Sequence, residues 1–376
     1  MIKNRIGSRL RRSFIGILGL GAIVMAGCSA PAETGNGAAP TPSDSQQSNA
    51  FEGKKVGFLL PEDVTARWEN VDRPFFEESL AKYAPGAEVL FYNAQNDSST
   101  QQAQAEQALT QGVDVLVIIA IDQEAAGVIV ENAAAEGVPV IAYDRLIRNS
   151  PVAYYVSVDG VAIGELQGNW LVANTAAGDN IAVINGSESD DNARLFRDGY
   201  MSVLQPLFDS GDRNLVYESW TPGWDPSAAQ QQMEQALTQN ANDIQAVLSA
   251  NDGMAATIIA ALEAQGMAGT VPVTGLDGTT QGLNLILQGK QGMSAYRSLQ
   301  EQADKTAAIV AALLAGEEPE SSLFSGLTVN NGQVDIPWAT VTPLVIETDN
   351  VSLVMNELGL TPADVCDNVD TGIGVC

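Results

Sequence analysis

The sequence predicts an α/β protein of two lobes, each built on a doubly wound parallel sheet. Short apolar runs rich in Val and Ile alternate with longer stretches of good helix formers. The apolar runs are residues 56–60, 113–120, 138–143, 181–184, 246–249 and 271–274. The helical stretches include residues 100–111, 123–136, 227–239 and 254–265. Continuous apolar strands joined by helices are typical of parallel sheets that are covered on both faces.

An internal similarity predicts that there are two such lobes. Residues 113–144 and residues 244–277 share one order: an apolar strand, a polar tip, an Ala-rich helix, a Gly turn, a Val-Pro-Val strand and an Asp. Ligands of open parallel sheets bind beyond the carboxyl ends of the strands. The polar residues expected at such ends are Asp122, Asp144, Asn251, Asp252 and Asp277.

The N-terminus predicts export. A basic start without acidic residues precedes an apolar run over residues 14–26, which is typical of a secretory signal. Met25-Ala26-Gly27-Cys28 resembles a lipobox, so we expect residues 1–27 to be a lipoprotein signal peptide and Cys28 to carry the lipid anchor. Arg11-Arg12 also fits a twin-arginine signal, and the Sec and twin-arginine routes both stay open. Either a periplasmic or an outer-surface location suits such an anchor.

The segments at the two ends of the mature chain have separate expected roles. Residues 28–51 are mostly small and polar, which predicts a flexible tether because such a composition cannot bury a core. Cys366 and Cys376 are the other two thiols, and outside the cytoplasm we expect them to pair as a disulfide.

Composition excludes several classes of function. The chain has no His, so it has no Ser-His-Asp or Cys-His catalytic unit and no His-ligated metal. Its net charge of -28 argues against nucleic-acid binding. We expect no metal site and no cofactor, since neither a calcium-loop motif nor a glycine-rich phosphate loop after a strand is present.

Fixed carboxylates, amides, guanidinium groups and indoles follow the predicted strands. This is the chemistry of polyol recognition, because carboxylates accept from hydroxyls, Arg donates in a rigid fork and Asn does both. The candidates are Arg67, Trp68, Asp144, Arg145, Asp190, Asp191, Asn192, Arg194, Trp220, Trp224, Asn251, Asp252, Asp277 and Arg297.

Structural roles are open for several of these residues. Asp122 and Asp252 each suit a helix N-cap as well as a ligand contact. Arg145 and Arg194 each suit a surface ion pair, and Trp68 suits the core. The pair Asp190-Asp191 would also suit acid/base chemistry, although it stands alone.

Five segments, in order and at compatible spacing over residues 54–350, carry a family resemblance. They are Ala66-Arg67-Trp68, Ile141-Ala142-Tyr143-Asp144-Arg145-Leu146-Ile147, Asp191-Asn192-Ala193-Arg194-Leu195-Phe196, Ser249-Ala250-Asn251-Asp252 and Gly275-Leu276-Asp277. They resemble the D-xylose-binding proteins of bacterial ABC importers and the ChvE-type multiple-sugar-binding proteins, within the periplasmic binding protein type I family.

The resemblance implies two α/β lobes joined by a three-segment hinge, with a monosaccharide held between them. It places residues 52–158 and 298–325 in the N-terminal lobe, and residues 159–297 and 326–376 in the C-terminal lobe. The implied ligand-binding residues are Arg67, Trp68, Asp144, Arg145, Asp190, Asn192, Trp224, Asn251, Asp277 and Arg297. Arg297 stands where xylose-binding proteins have Lys, so the resemblance leaves the choice between xylose and a related aldose open.

The implied function is delivery of the sugar to the membrane permease of an ABC importer, by a monomeric protein without enzymatic activity. Two alternatives are open. One is a multiple-sugar sensor that presents its closed form to a chemoreceptor or sensor kinase. The other is a secreted glycoside-processing enzyme that uses Asp190 or Asp191.

Overall fold

The computed structural model describes residues 50–324 and 326–376. The predicted signal peptide over residues 1–27, the predicted lipidation site Cys28 and most of the predicted tether over residues 28–51 lie outside this part of the chain. Among the described residues, no helix has both the length and the apolar character needed to cross a membrane.

Strands and helices alternate along the described chain. The strands are β1 (Lys55–Leu60), β2 (Glu88–Asn93), β3 (Val115–Ile118), β4 (Val140–Tyr143), β5 (Tyr154–Val158), β6 (Asn180–Asn185), β7 (Asn214–Trp220), β8 (Ala246–Ser249), β9 (Ser294–Tyr296), β10 (Thr328–Asn330), β11 (Asp335–Val341) and β12 (Leu344–Ile346). The α-helices are α1 (Arg73–Tyr83), α2 (Ser98–Thr110), α3 (Gly127–Ala135), α4 (Gly160–Ala173), α5 (Asp191–Ser210), α6 (Pro226–Gln239), α7 (Asp252–Glu263), α8 (Thr280–Leu287), α9 (Leu299–Ala315), α10 (Ser352–Leu358) and α11 (Pro362–Val365). A π-helical segment, Trp68–Asp72, precedes α1, and short 3₁₀ segments occupy Pro222–Trp224 and Ser321–Leu323.

The first lobe contains a seven-stranded sheet in the order β10-β11-β5-β4-β3-β1-β2. Its strands are parallel except for β10, which runs antiparallel to β11. Every residue of β3 and β4 is buried, as expected for strands covered by helices on both faces. This confirms the prediction of a parallel α/β sheet.

The second lobe contains the parallel sheet β7-β6-β8 and the antiparallel pair β12-β9. Isolated bridges from Val247 to Val273 and from Leu276 to Ala295 connect the two. The second Val-Pro-Val segment therefore lies next to β8, as the internal repeat predicts, although it pairs only through these bridges.

The chain passes between the lobes three times, after β5, after β9 and after β11. The predicted division placed residues 326–376 in the C-terminal lobe, and this is wrong for residues 328–341. There β10 and β11 extend the first sheet, with Trp338 paired to Tyr155 and Val341 to Val158. Local sequence patterns do not indicate this pairing, because it joins segments that are far apart along the chain.

Two glycines allow α4 and α5 of the second lobe to pack in close contact. A Cβ on Gly164 would lie 2.0 Å from the Phe196 carbonyl oxygen, and one on Gly199 would lie 2.2 Å from the Val161 carbonyl oxygen. Any side chain at either position would force the helices apart. This contact fixes the position of α5, whose first turn enters the site described below.

The C-terminal segment ends in the predicted disulfide, which joins Cys366 to Cys376. The segment packs against α8 through an apolar cluster that includes Leu283, Leu287 and Val365. The disulfide therefore fastens a tail that contributes to the second lobe's packing.

Candidate ligand-binding site

One cavity between the lobes brings together all ten residues that were predicted to bind ligand. Its empty volume is about 330 Å³, including the open solvent at its mouth. The first lobe supplies side chains that follow β1 and β4. The second lobe supplies side chains that follow β6, β7, β8 and β9, together with Asp277, which follows the bridged segment around Val273. The ten are Arg67, Trp68, Asp144, Arg145, Asp190, Asn192, Trp224, Asn251, Asp277 and Arg297.

The loop after β1 holds Arg67 and Trp68 through two buried carboxylates. Arg67 donates from Nε and Nη2 to the two oxygens of Asp72, at 2.7 and 2.8 Å. The π-helical segment makes this possible, because it returns the Asp72 side chain to Arg67 five residues earlier. Trp68 donates from Nε1 to Glu62 at 2.7 Å, and its ring lies 4.1 Å below the Arg67 guanidinium carbon. Both roles considered for Trp68 therefore apply, because it is buried and it lines the cavity.

Asp144 is the carboxylate on which the two lobes converge. Its Oδ2 accepts from Arg67 of the first lobe at 3.0 Å and from Arg297 of the second lobe at 2.7 Å. Its Oδ1 accepts from Asn192 Nδ2 at 3.1 Å. Asp144 has a φ of 62°, in the left-handed region that Asp and Asn enter more readily than most residues.

Arg297 bridges the two Asp residues that end the repeated units. One terminal nitrogen donates to Asp144 at 2.7 Å and the other donates to Asp277 at 2.9 Å. Asp277 also accepts from Arg67 at 3.3 Å and has a φ of 101°. Strained backbone of this kind is common where a side chain must be held for binding.

A third ion pair across the cleft joins Arg145 to Asp190 at 2.7 Å. Arg145 also donates to the Ala120 carbonyl oxygen, and Asp190 accepts from Trp224 Nε1 at 3.1 Å. Asp190 is the N-cap of α5, with Oδ1 accepting from the Asn192 amide. Because Asp190 is fully used by these donors, it is placed to position Arg145 and Trp224.

Burial shifts the pKa values of the site. Burial raises the pKa of Asp72, Asp190 and Asp277 above the ordinary value, while Arg67 or Arg145 opposes the rise. For Arg67, burial alone would lower the pKa, but Asp72 and Asp144 raise it well above its ordinary value. The guanidinium therefore remains a charged donor at any physiological pH.

Three of the polar residues at strand ends have capping or packing roles. Asn251 lines the cavity and also caps α7, where its Oδ1 accepts from the Met254 amide at 2.9 Å. Asp122 accepts from two amides of the turn before α3 and does not line the cavity. Asp252 lies behind the site, where it accepts from Thr279, Gln291 and Ser294, and burial raises its pKa to about 6.

The remaining sequence candidates lie at the edge of the cleft or outside it. Arg148 of the first lobe forms an ion pair with Asp191 of the second lobe, and both side chains are partly exposed. Arg194 donates to the Glu188 carbonyl oxygen near this edge. Trp220 does not line the cavity.

Sequence reasoning missed several residues that shape the cavity. Thr65, Phe196 and Leu276 line it. Behind the lining, Glu62 and Asp72 hold Trp68 and Arg67. Gln302 of α9 reaches Asp144 at 3.4 Å, and its Oε1 and the Nε of Arg297 have no partner among the described residues. The short spacing between Arg67 and Asp72 was the available sequence signal for their contact. It did not predict the contact, because an α-helix over this segment would not bring the two side chains together.

The donors and acceptors of the cavity do not resemble a metal centre. Over the described part of the chain, no cluster of three or more His, Cys, Asp or Glu residues is arranged to hold a metal ion. Each cavity carboxylate instead accepts from guanidinium, amide or indole groups. Such an array can exchange hydrogen bonds with a neutral molecule that both donates and accepts.

The fold and this cleft define a two-lobed ligand receptor, and comparison with known proteins identifies its family. Residues 56–318 match the family described as periplasmic binding protein domain. The chain belongs to this family, which implies export from the cytoplasm.

Its relatives include receptors for sugars. The chain is 37% identical to the D-xylose-binding periplasmic protein of Escherichia coli (strain K12), over 79% of this chain and 88% of that protein. It is 34% identical to the multiple sugar-binding periplasmic receptor ChvE of Rhizobium radiobacter, over 82% and 91% respectively. A solved ABC transporter solute-binding protein from Clostridium phytofermentans with bound β-D-glucose is similar with a TM-score of 0.75 and 29% identity, covering 83% of this chain and 100% of that one.

Proposed function

We propose that this chain is the substrate-binding component of a sugar ABC importer, which encloses D-xylose or a related aldose between its lobes and delivers it to the permease. The observation that carries the proposal is the buried cavity between the lobes, where three guanidinium groups alternate with three carboxylates. The relatives that bind sugars support the same conclusion.

The chemistry of the cavity favours an uncharged polyol. A sugar hydroxyl donates to a carboxylate and accepts from a guanidinium, so it uses both kinds of group at once. Trp68 and Trp224 add flat apolar faces suited to the C–H face of a pyranose. Hydrogen bonds to charged groups contribute roughly 1.5–3 kcal/mol each. Several of them are enough for micromolar binding, which requires about -8 kcal/mol.

Closure of the lobes is the proposed binding step. Arg67–Asp277, Asp144–Arg297 and Arg145–Asp190 each join a first-lobe residue to a second-lobe residue. These pairs can form only when the lobes meet, so they favour the closed form and hold the ligand's surroundings rigid. Rotation about the three hinge crossings would open the cleft and admit the sugar.

The sequence supports a proposal for membrane attachment and assembly. Lipidation of Cys28 would anchor the receptor, and residues 28–51 would give it reach to the permease. We propose that it acts as a monomer, as a hinged receptor needs no second copy to complete its site. All ten proposed ligand-binding residues come from one chain.

A sensor role is the second candidate, favoured by the 34% identity to a multiple sugar-binding receptor. The binding site would be the same, and the closed form would contact a chemoreceptor or sensor kinase. Deletion of the gene distinguishes the roles: lost sugar uptake indicates transport, whereas intact uptake with lost sugar response indicates sensing.

Thermal unfolding of the purified protein against a sugar panel tests the proposal. The panel is xylose, glucose, galactose, arabinose, ribose and fucose, with nucleosides and amines as ligands of other classes. A bound sugar at about 100 times its dissociation constant stabilises the protein by about 2.7 kcal/mol. This corresponds to a Tm increase of about 4 °C for a folded region of this size.

The pattern of shifts identifies the ligand. A shift with xylose alone supports a xylose receptor, and shifts with several aldoses support a multiple-sugar receptor. No shift with any sugar, together with a shift for a nucleoside or an amine, would overturn the proposed ligand class.

A further inference from the structure

A second space, here called the side cleft, adjoins the ligand cavity. Its empty volume is about 1240 Å³ including open solvent, against about 330 Å³ for the ligand cavity. The two spaces share five lining residues, namely Thr65, Arg67, Trp224, Asn251 and Asp277. A molecule that extends beyond the ligand cavity at this wall would therefore enter the side cleft.

The wall between the two spaces contains the longest ion pair of the cavity. Arg67 and Asp277 are 3.3 Å apart, whereas Asp144–Arg297 and Arg145–Asp190 are each 2.7 Å apart. Arg67 also has Asp72, and Asp277 also has Arg297. Separating Arg67 from Asp277 therefore leaves both charges paired, which is the least costly way to open a passage.

The side cleft has a neutral lining beyond this shared pair. Asn70, Thr280 and Gln281 supply exposed amides and a hydroxyl, and Val71, Leu299 and Leu358 supply apolar surface. The chain has 46 acidic residues, yet among the described residues Arg67 and Asp277 are the only charged ones that line this space. Neutral hydrogen-bonding groups interspersed with aliphatic groups suit an uncharged, partly polar occupant.

We propose that the site accepts an aldose with a neutral glycosidic substituent, above all a second sugar ring. The first ring would occupy the ligand cavity and the substituent would pass the Arg67–Asp277 wall into the side cleft. Trp224 lines both spaces, so its indole can contact both units. This inference depends on the proposed function, because it extends the same sugar site.

Titration calorimetry with matched ligands and variants tests the inference. The ligands are D-xylose and D-glucose, with xylobiose, cellobiose and maltose as their disaccharides. Ala256 lies on α7 and lines the side cleft but not the ligand cavity, so we expect Ala256→Phe to fill part of the side cleft. Ala260→Phe is the matched control, because Ala260 is exposed on the same helix and lines neither space. Gln281→Trp is a second blocking variant at an exposed position, in case Ala256→Phe fails to fold.

We expect at least one disaccharide to bind the wild-type protein within about tenfold of its parent aldose. The blocking variants should weaken that disaccharide by more than about tenfold and the parent aldose by less than about threefold, and Ala260→Phe should change neither. Binding of an aldose without any disaccharide would overturn the inference and leave the proposed function intact. Equal weakening of both ligands by the blocking variants would also overturn it. If no aldose and no disaccharide binds, the proposed function fails and this inference fails with it.

Discussion

Replacing Asp144 with Asn tests the proposed site most directly. All four side-chain groups that contact the Asp144 carboxylate are donors: those of Arg67, Arg297, Gln302 and Asn192. An amide has one acceptor oxygen and one NH₂ group. Whichever way it is turned, its NH₂ must face a donor. The backbone should tolerate the change, because Asn also enters the left-handed region that a φ of 62° requires.

The magnitude follows from which of these contacts join the lobes. The contact with Arg67 lies within the first lobe and is lost from the open and closed forms alike. The contacts with Arg297 and with Asn192 both join the lobes, so whichever of them the NH₂ group faces is lost from the closed form alone. A hydrogen bond to a charged group contributes roughly 1.5–3 kcal/mol. Asp144→Asn should therefore weaken sugar binding by about 10- to 150-fold, and by more if the carboxylate also accepts from a sugar hydroxyl.

Isothermal titration calorimetry with the aldose that gives the largest thermal shift measures this loss. Asp209→Asn is the matched control, because Asp209 is an exposed residue at the end of α5, outside the cavity. Circular dichroism establishes that both variants are folded. A folded Asp144→Asn protein that binds sugar within about threefold of wild type would refute the assignment of this carboxylate to the site.

Three further outcomes are expected. Arg148→Gln removes a partly exposed ion pair to Asp191 at the cleft edge. Calorimetry should therefore show at most about a fivefold loss of sugar affinity, and this loss should shrink at high salt. A larger loss would show that the ion pair contributes to sugar binding. Replacing Cys366 and Cys376 by Ser opens a loop with a sequence separation of 10. The free energy of unfolding, measured in urea, should fall by about 2–3 kcal/mol, and sugar affinity should stay unchanged. Unchanged stability would contradict a structural role for the tail. Burial raises the pKa of Asp252 from 3.8 to about 6 in the folded protein. The protonated carboxyl group therefore stabilises the fold by about 3 kcal/mol below about pH 4, and this stabilisation is lost as the pH rises through 6. Asp252→Asn should therefore flatten the urea stability profile between pH 4 and 6, and an identical profile in the variant would show that Asp252 titrates normally.

The internal repeat explains how much of the site could be predicted from sequence. Asp144 and Asp277 end corresponding strands of the two repeated units, and both pair with the same Arg297. The residue that follows a strand of a parallel sheet lies at the carboxyl edge of that sheet. The repeat therefore predicts two carboxylates that face each other once the lobes meet. The pattern could not show that a single guanidinium would bridge them.

Residues that lie behind the cavity lining and contact its side chains could not be predicted in this way. Asp72 reaches Arg67 because the segment before α1 is π-helical, and apolar periodicity carries no signal for a π-helix. Gln302 lies on α9, which begins at a hinge crossing, so its approach to Asp144 depends on how the lobes are joined. The wrong assignment of β10 and β11 has the same origin, because their contact with β5 also depends on the path of the chain through the hinge.

Under the proposed function, the arrangement of charges in the cavity accounts for the binding of a neutral ligand by an acidic chain. The chain carries a net charge of -28, so an anion meets overall repulsion and a cation meets attraction over most of the surface. Within the cavity, each of Arg67, Arg145 and Arg297 has its own buried carboxylate, so little unpaired charge is left for an ionic ligand. An ionic ligand would have to disrupt one of these pairs and leave a buried charge without a partner, which is strongly destabilising. A sugar hydroxyl can instead join a pair by accepting from the guanidinium and donating to the carboxylate. Under the proposed function, the balance of paired charges would therefore favour uncharged polyols over ionic ligands.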